Sequence, residues 1–162
     1  MKRFANLADA GRALAECVLA DIGADASSIV LAAVPNGVPV ALPVAAALGV
    51  SAAPLPVERR DEGPVIGALP EVSGRRVIIV DDGVETGSVA RAAASAVRAL
   101  GPERLVLAVP VCPRDAMADL VRRYDAIIAV ERPFGRRSLA WHFDDFDTLE
   151  PDAALAMLRA QG

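Results

Sequence analysis

Residues 77–89 of this 162-residue chain read VIIVDDGVETGSV, and no other stretch indicates the fold as strongly. The first four residues are β-branched, which is typical of a strand buried on both faces of a parallel sheet. Two adjacent carboxylates, Asp81 and Asp82, follow at the carboxyl end of this strand, where such sheets bind their ligands. Thr86, Gly87 and Ser88 then offer hydroxyls and backbone N–H groups at the start of a helix, whose dipole favours an anion. The stretch therefore predicts a strand, an anion-binding loop and a helix in succession.

Short apolar runs alternate with helical patterns on both sides of this junction. Such alternation is typical of an α/β domain, and it predicts a mostly parallel sheet of about five strands flanked by helices. Gly101-Pro102 ends the helix that follows the junction. The predicted strands are 29–34, 53–57, 76–80, 105–110 and 126–130, and the predicted helices are 6–22 with Asn6 as its cap, 40–48, 89–100, 114–123 and 151–159.

Composition narrows the class of protein. With 162 residues and 54% hydrophobic content, the chain is expected to form one domain, 1–162, with a substantial core. The net charge is −4 and no basic run is interleaved with aromatics, so nucleic acid is not an expected partner. No apolar run approaches the length of a membrane span, and the N-terminus lacks a signal-peptide core, so we expect a cytoplasmic protein without a membrane partner. Cys17 and Cys112 form no CxxC pair, which argues against structural zinc and disulfides.

An acidic pair after a buried strand has other interpretations. Receiver domains also carry one, but they need a phosphorylatable Asp at the end of a later central strand. The later predicted strands run into Val111-Cys112-Pro113 and Glu131-Arg132-Pro133, so no Asp is available there. A metal site or a helix cap stays open from the residues alone.

The stretch 77–89 resembles the phosphoribosyl-pyrophosphate (PRPP) signature of the type I phosphoribosyltransferases, in which a hydrophobic strand ends in two acidic residues and a Thr-Gly-containing loop. The resemblance implies that Asp81 and Asp82 contact the ribose hydroxyls. It also implies a catalytic role for Glu85, which stands where some purine-using members carry an Asp that handles the proton of the base. Val89 replaces a Thr that is common in the family. The loop that would wrap the 5′-phosphate comprises Val84, Glu85, Thr86, Gly87, Ser88 and Val89.

A second anion-ready junction lies at residues 32–41, AAVPNGVPVA, between a predicted strand and a predicted helix. It is similar to the pyrophosphate loop of a bacterial subgroup of the family, which reads approximately Leu-Pro-Arg-Gly-Gly-Val-Pro-Val-Ala. Pro35, Asn36 and Gly37 would bind pyrophosphate by this resemblance, with Asn36 in place of an Arg and one Gly missing. A plain Pro-Asn-Gly turn is the alternative.

The same subgroup places Val-Arg-Lys after its second strand. By this resemblance, Arg59 or Arg60 would steady the leaving pyrophosphate, and Arg59 is the residue we assign as catalytic.

The resemblance implies that the aromatic segment 131–147 corresponds to the hood of the family, its variable base-recognition region. In the subgroup the tail often includes Trp-Tyr-x-x-Phe, and residues 141–146 read WHFDDF here. Trp141 and Phe143 are the candidate base-stacking residues, with core packing as the alternative. His142, the single histidine, is expected at the surface or hydrogen-bonded rather than catalytic.

The resemblance implies transfer of a 5-phosphoribosyl group from PRPP to a nitrogenous base, with purine slightly favoured because of Glu85. Mg²⁺ would be held mainly through PRPP, without protein residues assigned as metal ligands. The second hypothesis is a binding module of the same fold that senses PRPP or a nucleotide without turnover. Helix 6–22 is expected to lie against the sheet or against a partner subunit, so a homodimer stays open.

Overall fold

The computed structural model of the protein describes residues 3–135 and 137–161. The expected domain 1–162 and hood 131–147 therefore extend over positions 1, 2, 136 and 162, which lie outside the described residues. Phe4 and Phe143 form an isolated parallel bridge. The helices are α1 (Leu7–Ile22), α2 (Gly37–Leu48), α3 (Ser88–Arg98), α4 (Arg114–Leu120) and α5 (Pro151–Arg159), with a 3₁₀ helix at Leu139–His142, and the strands are β1 (Ile29–Ala33), β2 (Ala52–Leu55), β3 (Val57–Arg60), β4 (Gly63–Ile66), β5 (Arg76–Val80), β6 (Arg104–Val111) and β7 (Ala126–Glu131).

Five strands form the main sheet in the order β2-β1-β5-β6-β7, and every neighbouring pair is parallel. The predicted α/β fold with a five-stranded parallel sheet flanked by helices is confirmed. β5 lies at the centre, where its residues Val77 to Val80 are at most 2% exposed. A strand buried on both faces needs apolar side chains in both directions, which explains the uninterrupted β-branched run.

Successive residues of each strand pack into two different cores, because side chains alternate across a sheet. In β5, Ile78 and Val80 join one core with α1, α2 and α5. Val77 and Ile79 join the other core with α3 and the residues around α4. α1 packs against α2, β6 and β7 of the same chain. Of the two positions predicted for this helix, the structure therefore shows the one against the sheet.

The predicted element boundaries agree with the structure in most places. The largest differences are at the start of α2, at the end of α4, which is Leu120 rather than Arg123, and in residues 57–66. α2 begins at Gly37 rather than at Val40, because Pro39 in the first helical turn costs no hydrogen bond. Residues 57–66 form an antiparallel hairpin of β3 and β4 outside the main sheet, where we predicted a strand end and a loop. The sequence signal was present, since Asp61-Glu62-Gly63 is a turn between two short runs.

The segment after β7 packs onto the N-terminal residues. The Phe4 N–H donates to the His142 carbonyl at 2.9 Å, and the Asp144 N–H donates to the Phe4 carbonyl at 2.8 Å. The Phe4 and Phe143 rings lie 5.5 Å apart. The N-terminal residues thereby fix one side of this segment. Among the described residues, no helix has the length and apolar character needed to span a membrane.

Candidate ligand site at the switch point of the sheet

The candidate site lies where the chain leaves two neighbouring central strands. β1 and β5 pair in register from Ile29 and Val77 to Ala32 and Val80, so their carboxyl ends lie side by side. α2 follows β1 and packs on one face of the sheet, whereas α3 follows β5 and packs on the other. The two connecting loops therefore diverge and leave a crevice, which is where doubly wound sheets bind ligands.

The loop after β1 approaches β5 closely. The Val34–Pro35 peptide bond is cis. A Cβ atom on Gly37 would lie 2.8 Å from the Val80 carbonyl oxygen and 3.0 Å from the Asp81 Cα. Only glycine fits there without moving backbone, so the sequence Pro-Asn-Gly holds the start of α2 against the end of β5.

The loop after β5 is shaped by Gly87 and supported by Arg91. Gly87 has φ +88°, a left-handed conformation that other residues rarely adopt. The Thr86 hydroxyl lies 3.2 Å from the Ser88 hydroxyl and accepts the Ser88 N–H at 3.3 Å. The Arg91 guanidinium donates to the Thr86 carbonyl at 3.3 Å and also pairs with Asp119 at 3.4 Å. Sequence reasoning missed Arg91, although its place one turn into α3 is a signal that it can reach back to the loop.

The helices that start at these loops lack side-chain caps at their N-cap residues. α1 provides the contrast, because Asn6 Oδ1 accepts the Asp9 N–H at 2.8 Å, as predicted. Asn36 makes no such bond at α2, and Gly87 has no side chain to make one at α3. Among the first-turn N–H groups, the one of Ser88 is held by the Thr86 hydroxyl and the one of Val38 by the Pro35 carbonyl. The N–H groups that the N-cap residues leave uncapped, together with the helix dipole, make an anion-binding site.

Asp81 and Asp82 stand half-buried between the two loops. Burial raises the pKa of Asp82 well above its ordinary value, and the adjacent Asp81 charge, the hydrogen bond between the two side chains and the Glu85 charge act in the same direction. Burial also raises the pKa of Asp81, against the opposing effects of hydrogen bonds from Asp82 and of the Arg59 charge. The Asp82 N–H donates to Asp81 Oδ1 at 2.7 Å. The pair therefore favours holding a proton, or hydrogen-bond donors such as hydroxyl groups, over two bare charges.

Two adjoining cavities meet at this carboxylate pair. One, of about 340 Å³, is lined by the loop from Asp81 to Ala90 together with Arg59, Leu139 and Phe146. The other, of about 250 Å³, is lined by residues 33–36 and again by Arg59 and the two carboxylates. The structure thus brings most of the predicted site residues to one crevice, and Arg59 and the acidic pair lie at its centre.

The predicted stacking residues lie elsewhere. Phe143 is 2% exposed and packs on Phe4 and Phe146, so its ring has no free face for a base. Trp141 is 45% exposed, with the Arg137 guanidinium 4.6 Å from its ring centre, and among the described residues it lines neither cavity. The hood instead presents Leu139 and Phe146 to the larger cavity. Phe146 belongs to the same aromatic cluster as Phe143. The amino-acid sequence alone does not indicate which of these two rings lines the cavity.

The position of His142 differs from the predicted surface or hydrogen-bonded position. It is 2% exposed rather than at the surface, and within the described part of the chain its Nδ1 has no hydrogen-bond partner. Burial lowers its pKa, with a smaller opposing effect of Glu131 and a smaller reinforcing effect of Arg137. The imidazole ring packs edge-on against Trp141.

The raised pKa of Asp82 makes stability depend on pH. Because the folded protein holds this proton more tightly than the unfolded chain, whose carboxyl has its ordinary pKa near 4, stability falls as pH rises through the window between the two. Asp82→Asn removes this loss, so we expect its Tm to exceed that of the wild type by about 3 °C at pH 7, the size of roughly 1 kcal/mol in a chain of this length. The difference should shrink towards pH 4. Thermal denaturation from pH 4 to 8 measures it, with the exposed Asp61→Asn as control. A constant difference across that range would contradict the assignment.

Fold and crevice together define the class of protein: a doubly wound α/β protein with two anion-ready helix starts and an acidic pair at its switch point. Residues 2–134 match the family model described as "Phosphoribosyl transferase domain". The chain belongs to this family, and the predicted resemblance is confirmed.

Two comparisons show how far the likeness extends. The Mycobacterium tuberculosis protein named "Putative phosphoribosyl transferase Rv0571c" is 33% identical over 87 residues, which are 54% of this chain and 20% of that protein. This chain thus aligns with only a fifth of the length of that relative. The crystal structure of TT1426 from Thermus thermophilus has a TM-score of 0.84 at 27% identity and covers 96% of this chain and 97% of that chain.

A structure of purine phosphoribosyltransferase from Pyrococcus horikoshii is similar in fold. It has a TM-score of 0.58 at 23% identity and covers 76% of this chain and 81% of that chain. At that identity the likeness concerns the fold alone.

Proposed function

We propose that the protein transfers a 5-phosphoribosyl group from PRPP to a nitrogen atom of an acceptor base and releases pyrophosphate. One observation carries the proposal: Asp81, Asp82 and Arg59 lie at the junction of two cavities, each of which adjoins the uncapped start of a helix. PRPP has two phosphorylated ends with a ribose between them. A site with two anion loops and carboxylates between them matches that order of charges and hydroxyls.

PRPP is placed in the crevice by the chemistry of its parts. The 5′-phosphate would bind the N–H groups and hydroxyls of residues 84–89, and the ribose hydroxyls would donate to Asp81 and Asp82. The pyrophosphate would extend towards residues 35–37 and Arg59. In this orientation the anomeric carbon would lie near the wall formed by Leu139 and Phe146, which line the same cavity as residues 84–89.

The reaction breaks the bond between the anomeric carbon and pyrophosphate and forms a bond from that carbon to the acceptor nitrogen, which then loses a proton. Because the ribose becomes oxocarbenium-like, the carboxylate pair stabilises it while Arg59 stabilises the departing pyrophosphate. Of the described residues, no group of three or more His, Cys, Asp or Glu side chains could hold a metal ion. Oxygen ligands suit Mg²⁺, so PRPP itself would supply most of them beside the acidic pair, and the ion would neutralise pyrophosphate charge.

The acceptor base would lie against hydrocarbon. Leu139 and Phe146 are the residues that the hood contributes to the cavity among those described, and neither can donate or accept a side-chain hydrogen bond. Stacking and burial therefore favour a flat, weakly polar ring. A purine remains our preferred acceptor because Glu85 lies beside this wall, where it would be able to receive the proton released from the acceptor nitrogen.

Arg59 and Arg60 offer a matched test of the pyrophosphate end. Consecutive strand residues point to opposite faces, and Arg60 is paired with Glu58 by bonds of 3.1 and 3.2 Å, whereas Arg59 lines both cavities. We expect Arg59→Ala to weaken PRPP affinity by roughly tenfold to a hundredfold, the value of charged hydrogen bonds. Affinity for ribose 5-phosphate should stay unchanged, and Arg60→Ala should change neither. Titration calorimetry measures both ligands, and wild-type PRPP affinity in Arg59→Ala would remove the proposed role.

A second function, binding without turnover, is favoured by one observation. Asn36 stands where the similar bacterial subgroup carries an arginine, and its Oδ1 accepts the Leu149 N–H at 2.9 Å. Only its amide nitrogen can then donate to an anion, so the leaving group receives less stabilisation than a guanidinium gives. Calorimetric titration with PRPP and Mg²⁺ tests the part that both functions share. Saturable binding supports them, and no binding at millimolar PRPP excludes both.

A further inference from the structure

Asn36 and Glu85 make the same kind of contact with one later segment of the chain. Glu85 Oε1 accepts the backbone N–H of Leu139 at 2.8 Å. Asn36 Oδ1 accepts the backbone N–H of Leu149 at 2.9 Å. One residue belongs to each anion loop, and the two amides bound the segment Leu139–Leu149, which we call the roof segment. Both loops are thus tied to opposite ends of one piece of chain.

The roof segment contacts the site between those two ends. Phe146 lines the larger cavity, and its ring lies 5.0 Å from Phe143, which is packed on Phe4 in the core. The Leu139 side chain lies against Gly83, where an added Cβ would come within 2.5 Å of it. The wall proposed to receive the acceptor is therefore positioned from one side by the core and from the other by the loops.

We propose that Asn36 and Glu85 are paired positioning residues, which hold the roof segment in register with the two anion loops and so couple PRPP binding to the shape of the acceptor wall. The coupling rests on the proposed function, whereas the hydrogen bonds of Glu85 to Leu139 and of Asn36 to Leu149, which we call the two clamps, do not. Glu85 needs only an acceptor oxygen for this role, so glutamine serves as well as glutamate. A general base would lose its action in the same substitution, so Glu85→Gln separates the two roles.

The clamps are tested first without ligand, by NMR measurement of amide exchange at Leu139 and Leu149. We expect Glu85→Ala to speed exchange at Leu139 by about tenfold, the effect of losing one hydrogen bond, and Glu85→Gln to retain wild-type exchange. Asn36→Ala should do the same at Leu149, and Asn36→Asp should restore protection. Asn6→Ala is the matched control, because Asn6 Oδ1 accepts the backbone N–H of Asp9 in the same way. Its loss should leave amide exchange at Leu139 and Leu149 unchanged. Unaltered exchange in Glu85→Ala and Asn36→Ala would overturn the proposal.

The coupling is tested by adding PRPP and Mg²⁺ while following Trp141, the chain's single tryptophan, which lies in the 3₁₀ helix that Leu139 begins. In the wild type and in Glu85→Gln we expect slower exchange at both amides and a change in Trp141 fluorescence. In Glu85→Ala, both the slower exchange at Leu139 and the fluorescence change should be lost. Calorimetry on the same samples separates two failures. Binding with an equal response in Glu85→Ala overturns the coupling, whereas absence of PRPP binding overturns the proposed function and leaves the ligand-free clamps standing.

Discussion

Asp81→Asn combined with Asp82→Asn is expected to lower PRPP affinity at least about a hundredfold, because each ribose hydroxyl loses a charged acceptor. Folding should survive. Burial raises the pKa of both carboxyls, so removing their charges relieves a cost in the folded state. The double variant should therefore be at least as thermostable as the wild type. Stability and affinity would then change in opposite directions, which is typical of a binding site rather than a structural one.

The chain offers a matched control for this double substitution. Asp144 and Asp145 are also adjacent aspartates, but both are exposed, and Asp144 pairs with Arg3 at 3.2 Å. Asp144→Asn with Asp145→Asn makes the same pair of chemical substitutions and should leave PRPP affinity within about twofold of the wild type, since exposed pairs contribute little. Calorimetry and thermal denaturation of both double variants measure the two effects. Unchanged affinity in the Asp81 and Asp82 variant would remove the ribose-binding role.

Gly37→Ala is expected to damage both stability and binding. Its Cβ would lie within 3.0 Å of two backbone atoms of β5 and the acidic loop, so the start of α2 must shift. Such overpacking costs about 1–3 kcal/mol. The shift separates the pyrophosphate loop from the carboxylates, so we expect PRPP affinity to fall by tenfold or more, since the loops hold the ligand jointly.

Gly49→Ala controls for the loss of stability in Gly37→Ala. Gly49 ends the same helix with φ +75°, and nothing lies within 4 Å of its added Cβ. The left-handed conformation costs an alanine about 1–2 kcal/mol, so Tm should fall comparably. PRPP affinity should not, because this end of α2 is remote from the loops. If both variants bind PRPP equally, the close approach of Gly37 does not shape the site.

The central part of the fold was predictable because local chemistry determines it. A β-branched run buried on both faces, followed by two carboxylates and a small-residue loop, has few other structural solutions, and β5 and α3 begin within one residue of prediction. The hairpin of β3 and β4 was missed, since its strands are short, charged and outside the main sheet. The alternation of side chains along a strand predicts that Arg59 and Arg60 face opposite sides, but it does not predict which of them faces the crevice.

The roof segment was least predictable because its position depends on long-range contacts. Asn36 and Leu149 are 113 positions apart, and Glu85 and Leu139 are 54 apart. Phe143 and Phe146 are residues of the same type in the same short segment. Phe143 nevertheless packs in the core, whereas Phe146 lines the cavity. Residues 131–147 have no periodic pattern that indicates which aromatic ring packs in the core and which lines the cavity. The stacking role expected for Phe143 therefore passes, in our proposal, to the wall of Leu139 and Phe146.

Base-dependent release of pyrophosphate from PRPP is the most direct test of a transferase. Purified protein would be incubated with PRPP and Mg²⁺, alone and with each of a panel of purines, pyrimidines and ammonia, and pyrophosphate would be followed with time. We expect release that needs an acceptor, is fastest with a purine, and disappears in the Asp81→Asn, Asp82→Asn double variant. Binding of PRPP without release for any acceptor would contradict transfer and leave a PRPP-binding protein.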